Sequence, residues 1–124
     1  MQIAFATMPS SIEYVRAGRL RPLAITARTP SEMLKDVPTV SETVPGFEAS
    51  SWYGVGAPNN TPSEIIDRLN KGINAALADP KMLVRLSELG VSPIAGSPAD
   101  FGKLIADETE KWGKVIKYAG IKPE

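Results

Sequence analysis

The sequence predicts an α/β fold with a short-stranded βαβ unit, a crossing strand and long C-terminal helices. Three observations predict it. Up to residue 57, short apolar runs rich in β-branched and aromatic residues alternate with turn-forming residues, as in strands. From residue 61 onwards, apolar residues recur at steps of three and four, as in amphipathic helices. The strand–helix–strand pattern of residues 2–26 is typical of strands that pair in parallel.

Composition excludes several classes of function. The 124 residues suit one domain or part of one, and 43% apolar with 23% charged residues is ordinary for a globular protein. Fourteen Lys and Arg balance fourteen Asp and Glu, which argues against non-specific nucleic-acid binding. Without cysteine there is no disulfide or thiol nucleophile, and without histidine the commonest general base is missing. We therefore expect no metal, no cofactor and no enzymatic activity.

Targeting signals are not visible in the sequence. No apolar run approaches the roughly 20 residues that a membrane helix needs. Met1 leads directly into a strand-like segment, with no signal peptide before it.

The first 26 residues supply the βαβ unit. Residues 2–6 form a short apolar strand candidate, and Ser10 or Ser11 is placed to cap a short helix that Gly18 ends. The segment 20–26 is predicted as the next strand, with its proline near the start, where strands tolerate it.

Residues 27–46 follow as a connector that is interrupted by turn-forming residues. Residues 29–32 and 39–42 each carry a Thr or Ser three positions before a Glu, which is the pattern of a helix capping box. We predict a single turn at each. The apolar and aromatic residues at 47–57 then predict a strand that crosses from one lobe to another, a place where ligand clefts occur.

The last half of the chain is predicted to be helical. One helix covers residues 61–79, a second follows Asp79 and ends at Gly90, and the last covers 97–119. The apolar stripe of the first consists of Ile65, Ile66, Leu69, Ile73, Ala76 and Leu77. That of the last consists of Phe101, Leu104, Ile105, Trp112, Val115 and Ile116.

Motifs with chemical meaning are few. Residues 54–56 read Gly-Val-Gly, like the start of a dinucleotide fingerprint, but the third glycine is missing and prolines occupy the turn. The hydroxyl and aromatic side chains of residues 50–53 fit the lining of a binding cleft. They fit equally well a strand whose successive side chains point alternately to the core and to the surface. The first third is rich in arginine, which fits a solvated positive face balanced by Glu or, alternatively, an anion site. These arginines are Arg16, Arg19, Arg21 and Arg28.

Six segments of the chain, in order and at matching spacing, resemble one known family. They are FATMPS at 5–10, AGRLRPLAIT at 17–26, DVPTVSE at 36–42, PGFEASSWYG at 45–54, NAALADP at 74–80 and WGKVIK at 112–117. Together they resemble the Bug proteins, which are the substrate-binding receptors of tripartite tricarboxylate transporters. The resemblance covers nearly the whole chain.

The resemblance implies a periplasmic-binding-protein-like receptor with two lobes, of which this chain is the C-terminal portion. Residues 1–46 would end the second lobe, 47–57 would cross back, and 58–124 would return to the first lobe, mostly as helix. The missing part would carry the signal peptide, most of the first-lobe sheet and a loop that grips the ligand. We expect such a receptor to be periplasmic and to deliver a small organic carboxylate to the membrane subunits of the transporter.

The resemblance also indicates the ligand-facing residues, which are the loop Ala6, Thr7 and Met8 and, further along, Thr26. Many family members have an acidic residue where this chain has Ala6. In members that bind amino acids, that residue can face the ligand's ammonium group. Its loss here favours a plain carboxylate, bound largely through backbone N–H groups and ordered water.

Two alternatives stand beside the receptor. One is a free-standing helical interaction module built from residues 61–119, and the other an enzyme that uses the loop Gly54–Gly56.

A further expectation concerns self-association of the chain. Strands near 2–6, 20–26 and 47–57 without their partners would expose unpaired edges and apolar faces. We therefore expect the chain alone to form a homo-oligomer.

Overall fold

A computed structural model describes residues 3–122 of the chain. Within that range it contains four α-helices and one short 3-10 helix. The α-helices are α1 Met8–Arg16, α2 Ser63–Leu77, α3 Pro80–Glu88 and α4 Pro98–Ala119, and the 3-10 helix is Val40–Glu42. Most of the predicted helical content is therefore confirmed.

Helix α1 begins earlier than predicted. Thr7, not Ser10 or Ser11, is the N-cap, with an extended backbone at φ −71° and ψ 151°. The hydroxyls of Ser10 and Ser11 instead donate to the Thr7 carbonyl at 2.8 and 2.9 Å. Pro9 sits in the first turn, where its missing N–H costs nothing. Gly18, at φ 68°, follows the end of the helix as predicted.

The later helices follow their predicted caps closely. Asp79 Oδ1 accepts from the N–H groups of Lys81 and Met82 at 2.9 and 3.1 Å at the start of α3. At the start of α4, Ser97 and Asp100 form a reciprocal capping box. Gly90 and Gly120 take left-handed backbones, at φ 68° and 65°, after α3 and α4.

The predicted strands do not form within the described residues. Segments 20–26 and 47–57 and the described part of 2–6 are irregular, while Gln2 lies outside the described residues. A strand needs a neighbour to accept and donate its backbone hydrogen bonds. The described part of the chain supplies almost no neighbouring strand for these segments. The predicted βαβ unit therefore forms no sheet here.

One parallel bridge forms among the described residues, but between segment 20–26 and the connector and not between the two predicted strands of the βαβ unit. It joins Ile25 to Thr39. The Ile25 N–H donates to the Pro38 carbonyl, and the Val40 N–H donates to the Ile25 carbonyl, both at 2.9 Å. The bridge fixes the end of segment 20–26 against the connector.

The connector turns as the capping pattern predicts at its second site. The Thr39 N–H donates to Glu42 Oε1 at 2.8 Å, and a short 3-10 helix follows. At the first site the chain makes only a turn, in which the Met33 N–H donates to Ser31 Oγ at 3.2 Å. The connector is therefore held by these local hydrogen bonds together with the Ile25–Thr39 bridge.

The chain folds as two compact units. Unit one contains the described residues up to Tyr53 together with Ala78–Pro93, so it holds α1 and α3. Unit two contains Gly54–Leu77 together with the described residues from Ile94 onwards, so it holds α2 and α4. The first change of unit, between Tyr53 and Gly54, falls inside the predicted crossing segment 47–57. The assignment of segments to receptor lobes stays a prediction.

Neither unit encloses much of a core. Among the described residues, Ile12 is the one apolar side chain that is fully buried, at 2% exposure. Thr39, at 4%, is the one buried polar residue of the range 3–122, and its hydroxyl is bonded to Ser41 and Glu42. The accessible surface of the chain is 10309 Å². A compact protein of this mass exposes about 6,500 Å².

Candidate functional site

The predicted ligand loop lies at the N-terminal end of α1. Ala6 is exposed, while Thr7 and Met8 are half-buried. No side chain caps the helix at Thr7, and its first turn contains no acidic residue. A helix N-terminus carries unpaired N–H groups and a partial positive charge, which favour an anion. Pro9 has no N–H and the Ser10 N–H donates to the Thr7 carbonyl at 3.1 Å, so what the loop offers an anion is chiefly the partial positive charge of the helix, without a competing negative charge.

Met8 contributes packing to this loop. Its side chain lies against Gly90, where a Cβ would overlap Met8 Cγ and come 2.9 Å from Met33 Sδ. Gly90 thus allows Met8 and Met33 to pack closely over the end of α3. This contact holds the start of α1 in place within unit one.

Thr26 is positioned separately from the loop. It is half-buried, and its carbonyl accepts from the Ala49 N–H at 2.9 Å. The Ile25–Thr39 bridge fixes the residue before it. Among residues 3–122, the hydrogen bonds of Thr26 run to Ala49 and not to residues 6–8. The loop and Thr26 thus share unit one but are held by different contacts.

Three of the four arginines of the first third have separate partners and are not gathered into one anion site. Arg16 pairs with Glu13 at 2.6 Å, and Arg28 pairs with Glu48 at 3.1 Å. Arg19 lies 5.5 Å from the centroid of the Tyr14 ring. These contacts agree with a solvated positive face balanced by Glu.

A surface groove in unit one lies between α1 and α3. Its lining consists of Arg16, Met33, Leu83, Val84, Ser87 and Glu88. Neither residues 6–8 nor Thr26 contribute to it, so the groove is not the predicted ligand site.

The Gly-Val-Gly motif has a packing explanation in unit two. A Cβ on Gly54 would overlap Phe101 Cζ and approach Phe101 Cε2 to 2.5 Å. Gly56 meets nothing within 4 Å. The first glycine therefore lets the Phe101 ring lie on the backbone, and this contact is what the motif does in the fold.

Unit two contains a polar clamp that the sequence did not reveal. The side-chain amides of Asn70 and Asn74 both donate to the Gly96 carbonyl at 2.9 Å. The Gly96 N–H donates back to Asn74 Oδ1 at 3.3 Å. The signal available was two asparagines spaced by four residues on a helix, whose side chains lie on one face.

Within the described residues, the side chains form no cluster of His, Asp or Glu suited to a metal ion. The helices of this range also include none long and apolar enough to cross a membrane.

Curated relatives match most of this chain but only part of themselves. A UPF0065 protein from the tcbD–tcbE intergenic region of Pseudomonas sp. strain P51 is 38% identical over 89% of the chain and 33% of its own length. Protein BugT of Bordetella pertussis is 37% identical over 93% of the chain and 36% of its own length. The chain therefore spans about a third of these relatives.

Two solved structures share its fold. R. palustris Rpa4515, solved with adipate, has a TM-score of 0.87 and 42% identity over 94% of this chain and 40% of its own. The periplasmic binding protein BugD has a TM-score of 0.84 and 29% identity over 92% of this chain and 39% of its own. The fold of the chain is therefore that of part of a periplasmic binding protein.

Residues 1–121 match the family described as the tripartite tricarboxylate transporter family receptor. This is a family of solute-binding receptors and not of enzymes. It agrees with the Bug-type motifs found in the sequence. Sequence motifs, fold and family match thus lead to one conclusion: the chain belongs to the tripartite tricarboxylate transporter receptor family, and it spans about a third of the length of its curated relatives.

Proposed function

We propose that this chain is the C-terminal part of a receptor that binds a small organic carboxylate and delivers it to the membrane subunits of a tripartite transporter. The observation that carries the proposal is the likeness to the R. palustris protein solved with adipate, at a TM-score of 0.87 and 42% identity. Adipate has two carboxylates and no ammonium group. A receptor for such an acid needs anion-binding groups and no acidic counter-charge.

The loop of Ala6, Thr7 and Met8 is proposed to receive one carboxylate. The support is local: the loop leads into the N-terminus of α1, whose first turn lacks acidic residues. Ala6 is exposed and presents no negative charge. Thr26 is proposed as a second contact, because its half-buried position is fixed by Ala49 and by the Ile25–Thr39 bridge.

The whole receptor is proposed to be a two-lobed α/β protein of the periplasm. Residues 1–46 would end one lobe, 47–57 would cross, and 58–124 would return to the other. Segments near 2–6, 20–26 and 47–57 would become strands once their neighbours are present. The periplasmic location is supported by the likeness to BugD, which is a periplasmic binding protein.

The chain alone is proposed to form a homo-oligomer. Its support is the large exposed surface, 10309 Å², and the single fully buried apolar side chain among the described residues. Apolar area of this extent is unfavourable in water and favours association.

A thermal-shift panel on a full receptor that contains this chain tests the carboxylate proposal. The panel comprises dicarboxylates, tricarboxylates, aromatic acids and amino acids, with the neutral diamide of adipate as a matched control. A ligand that binds only the folded state raises Tm, so at least one acid should raise it by several degrees while the diamide does not. A panel without any shift would count against the receptor function.

A further inference from the structure

Residues 39–42 of the connector form a turn that is closed by one carboxylate. Glu42 Oε1 accepts from the Thr39 N–H at 2.8 Å and from the Thr39 hydroxyl at 3.2 Å. The hydroxyl also lies 2.8 Å from Ser41 Oγ. Thr39 is only 4% exposed. Because a buried N–H without an acceptor is costly, the Glu42 carboxylate fixes the backbone of Thr39.

Thr39 in turn holds the segment that contains Thr26. It forms the parallel bridge with Ile25, the residue before Thr26. The Ile25 N–H donates to the Pro38 carbonyl, and the Ile25 carbonyl accepts from the Val40 N–H, both at 2.9 Å. These two bonds lie on either side of Thr39 in the sequence. A shift of the Thr39 backbone would therefore move both partners of Ile25.

Thr26 has one further backbone contact. Its carbonyl accepts from the Ala49 N–H at 2.9 Å. Two residues later Arg28 pairs with Glu48 at 3.1 Å, but the arginine side chain is 81% exposed, so the pair adds little. The position of Thr26 thus depends on the Ala49 bond and on the bridge, and the bridge is the contact that the Glu42 side chain secures.

The ligand loop of residues 6–8 does not depend on Glu42. Its Met8 side chain lies against Gly90, together with Met33, over the end of α3. Within the described range, the hydrogen bonds of residues 39–42 run to Ile25 and to neighbours in the connector, and not to the loop. Separate parts of unit one therefore secure the two proposed ligand contacts.

The connector also contains a matched comparison for Glu42. Residues 29–32 read Thr-Pro-Ser-Glu and residues 39–42 read Thr-Val-Ser-Glu, so each ends in a Glu three positions after a Thr. In the first, Glu32 lies 3.6 Å from Lys35, and its side chain is 94% exposed. The N–H bonded at that turn belongs to Met33 and donates to Ser31 Oγ. Glu32 therefore has the same charge and a similar sequence context without the contact that Glu42 makes to Thr39.

We propose that Glu42 is a positioning residue for the ligand contact at Thr26. By holding Thr39 it fixes the bridge to Ile25, and so the place of the Thr26 hydroxyl, which donates a hydrogen bond to a ligand carboxylate. Glu42 itself does not touch the ligand, because its negative charge would repel a carboxylate. The inference rests on the proposed function, in which Thr26 is the second contact.

Calorimetry on a full receptor that contains this chain tests the proposal. The titrant is adipate, or the acid of the thermal-shift panel with the largest rise in Tm if adipate raises none. Glu42→Ala should raise Kd by about three- to tenfold, as expected when a hydrogen bond to a charged acceptor is lost. Glu42→Gln keeps an oxygen acceptor and should stay within about twofold of wild type. Glu32→Ala should bind like wild type.

Double-mutant cycles separate positioning from a general loss of stability. In a Thr26→Val receptor, which keeps the shape of the side chain but lacks the hydroxyl, Glu42→Ala should have little further effect on Kd. In an Ala6→Asp receptor the two effects should multiply, because the loop is secured independently of Glu42. An effect of Glu42→Ala that is equal in all three backgrounds would overturn the proposal.

Amide hydrogen exchange without any ligand gives a second readout. Glu42→Ala should reduce the protection of the Ile25 and Val40 N–H groups and leave the amides of α4 unchanged, while Glu42→Gln should retain protection at all of them. Protection lost throughout the chain would indicate a merely structural role and contradict positioning.

The two readouts keep the two proposals apart. If no acid binds the wild-type receptor, the carboxylate function is wrong, and exchange at Ile25 alone decides whether Glu42 positions this segment. If an acid binds but Glu42→Ala leaves its Kd unchanged, the positioning role is wrong, whatever the exchange result, and the carboxylate function stands.

Discussion

Asn74 and Gly96 hold each other through two reciprocal hydrogen bonds. The Asn74 Nδ2 group donates to the Gly96 carbonyl at 2.9 Å, and the Gly96 N–H donates to Asn74 Oδ1 at 3.3 Å. Both residues are half-buried. Asn70, one turn earlier on α2, donates to the same carbonyl. The pair fixes the segment before α4 on the side of α2, and so sets where α4 begins.

Asn74→Ala should release this segment, and Asn70→Ala should loosen it less. The first change leaves the Gly96 N–H without its partner, at a cost of about 1 kcal/mol, the low end of the range for buried groups, because Gly96 is only half-buried. The second leaves that N–H bonded to Asn74. Amide hydrogen exchange at Gly96 measures the difference: protection should be lost in Asn74→Ala and kept in Asn70→Ala. Equal protection in both variants would contradict the clamp.

Gly54→Ala should destabilise the chain by about 1–3 kcal/mol through overpacking. The reason is the Phe101 ring, which an added Cβ would overlap. Gly56→Ala is the matched control, since nothing lies within 4 Å of a Cβ there and no strained φ is involved. Denaturation at fixed protein concentration compares the two. In a Phe101→Ala background the Gly54 effect should disappear; if it persists, the ring is not its cause.

The capping box of α4 should be sensitive to acid. Hydrogen bonds from the Ser97 hydroxyl and backbone N–H hold the pKa of Asp100 below its usual range. A pKa lowered in the folded state means that this contribution to stability is present above the unfolded pKa. It is lost as the pH falls through the folded pKa.

Ser97→Ala removes the hydroxyl and should raise the pKa of Asp100 toward its ordinary value. Carbon-detected NMR titration of the carboxyls measures this. Glu110 is the internal control, because Lys114 lowers its pKa at a site that Ser97 does not touch. A shift of both residues would indicate a general unfolding, and no shift at Asp100 would contradict the capping account.

Alone in solution at micromolar concentration, the chain should sediment as a dimer or higher oligomer. Residues 59–119 are expected to pack against a second copy, because α2 and α4 carry exposed apolar side chains such as Leu69 and Ile105. Such an oligomer should have no competent ligand cleft. Leu69→Glu should shift the distribution toward monomer. A compact monomer that unfolds cooperatively would mean that the chain closes its own core.

The helices were predictable because their signals are local. Asp79 with Pro80 and Ser97 with Pro98 mark helix starts by hydrogen bonds that span only a few residues. The start of α1 was misplaced, because three neighbouring hydroxyls compete there. In the structure Thr7 is the N-cap, and the hydroxyls of Ser10 and Ser11 donate to its carbonyl.

The strands were not predictable in the same way, because a strand depends on a neighbour that need not be close in sequence. Segments 20–26 and 47–57 have strand-like composition, yet within residues 3–122 the one bridge joins Ile25 to Thr39 of the connector. The proposed ligand loop follows from the family resemblance and not from residue chemistry, since Ala6 and Met8 carry no reactive group. The role of Gly54 depends on its contact with Phe101. Phe101 is distant in sequence, so the residues around Gly54 gave no indication of this contact.

The measurement that tests the central claim most directly is carboxylate binding by an Ala6→Asp variant of a full receptor that contains this chain. The claim is that the loop of residues 6–8 receives the ligand carboxylate. An added carboxylate at position 6 should repel it in a partly dry cleft and weaken binding by about tenfold or more. Ala6→Asn, nearly the same shape without the charge, should bind close to wild type. Calorimetry with the native acid gives all three affinities, and an Ala6→Asp receptor that binds as tightly as wild type would contradict the placement of the ligand at this loop.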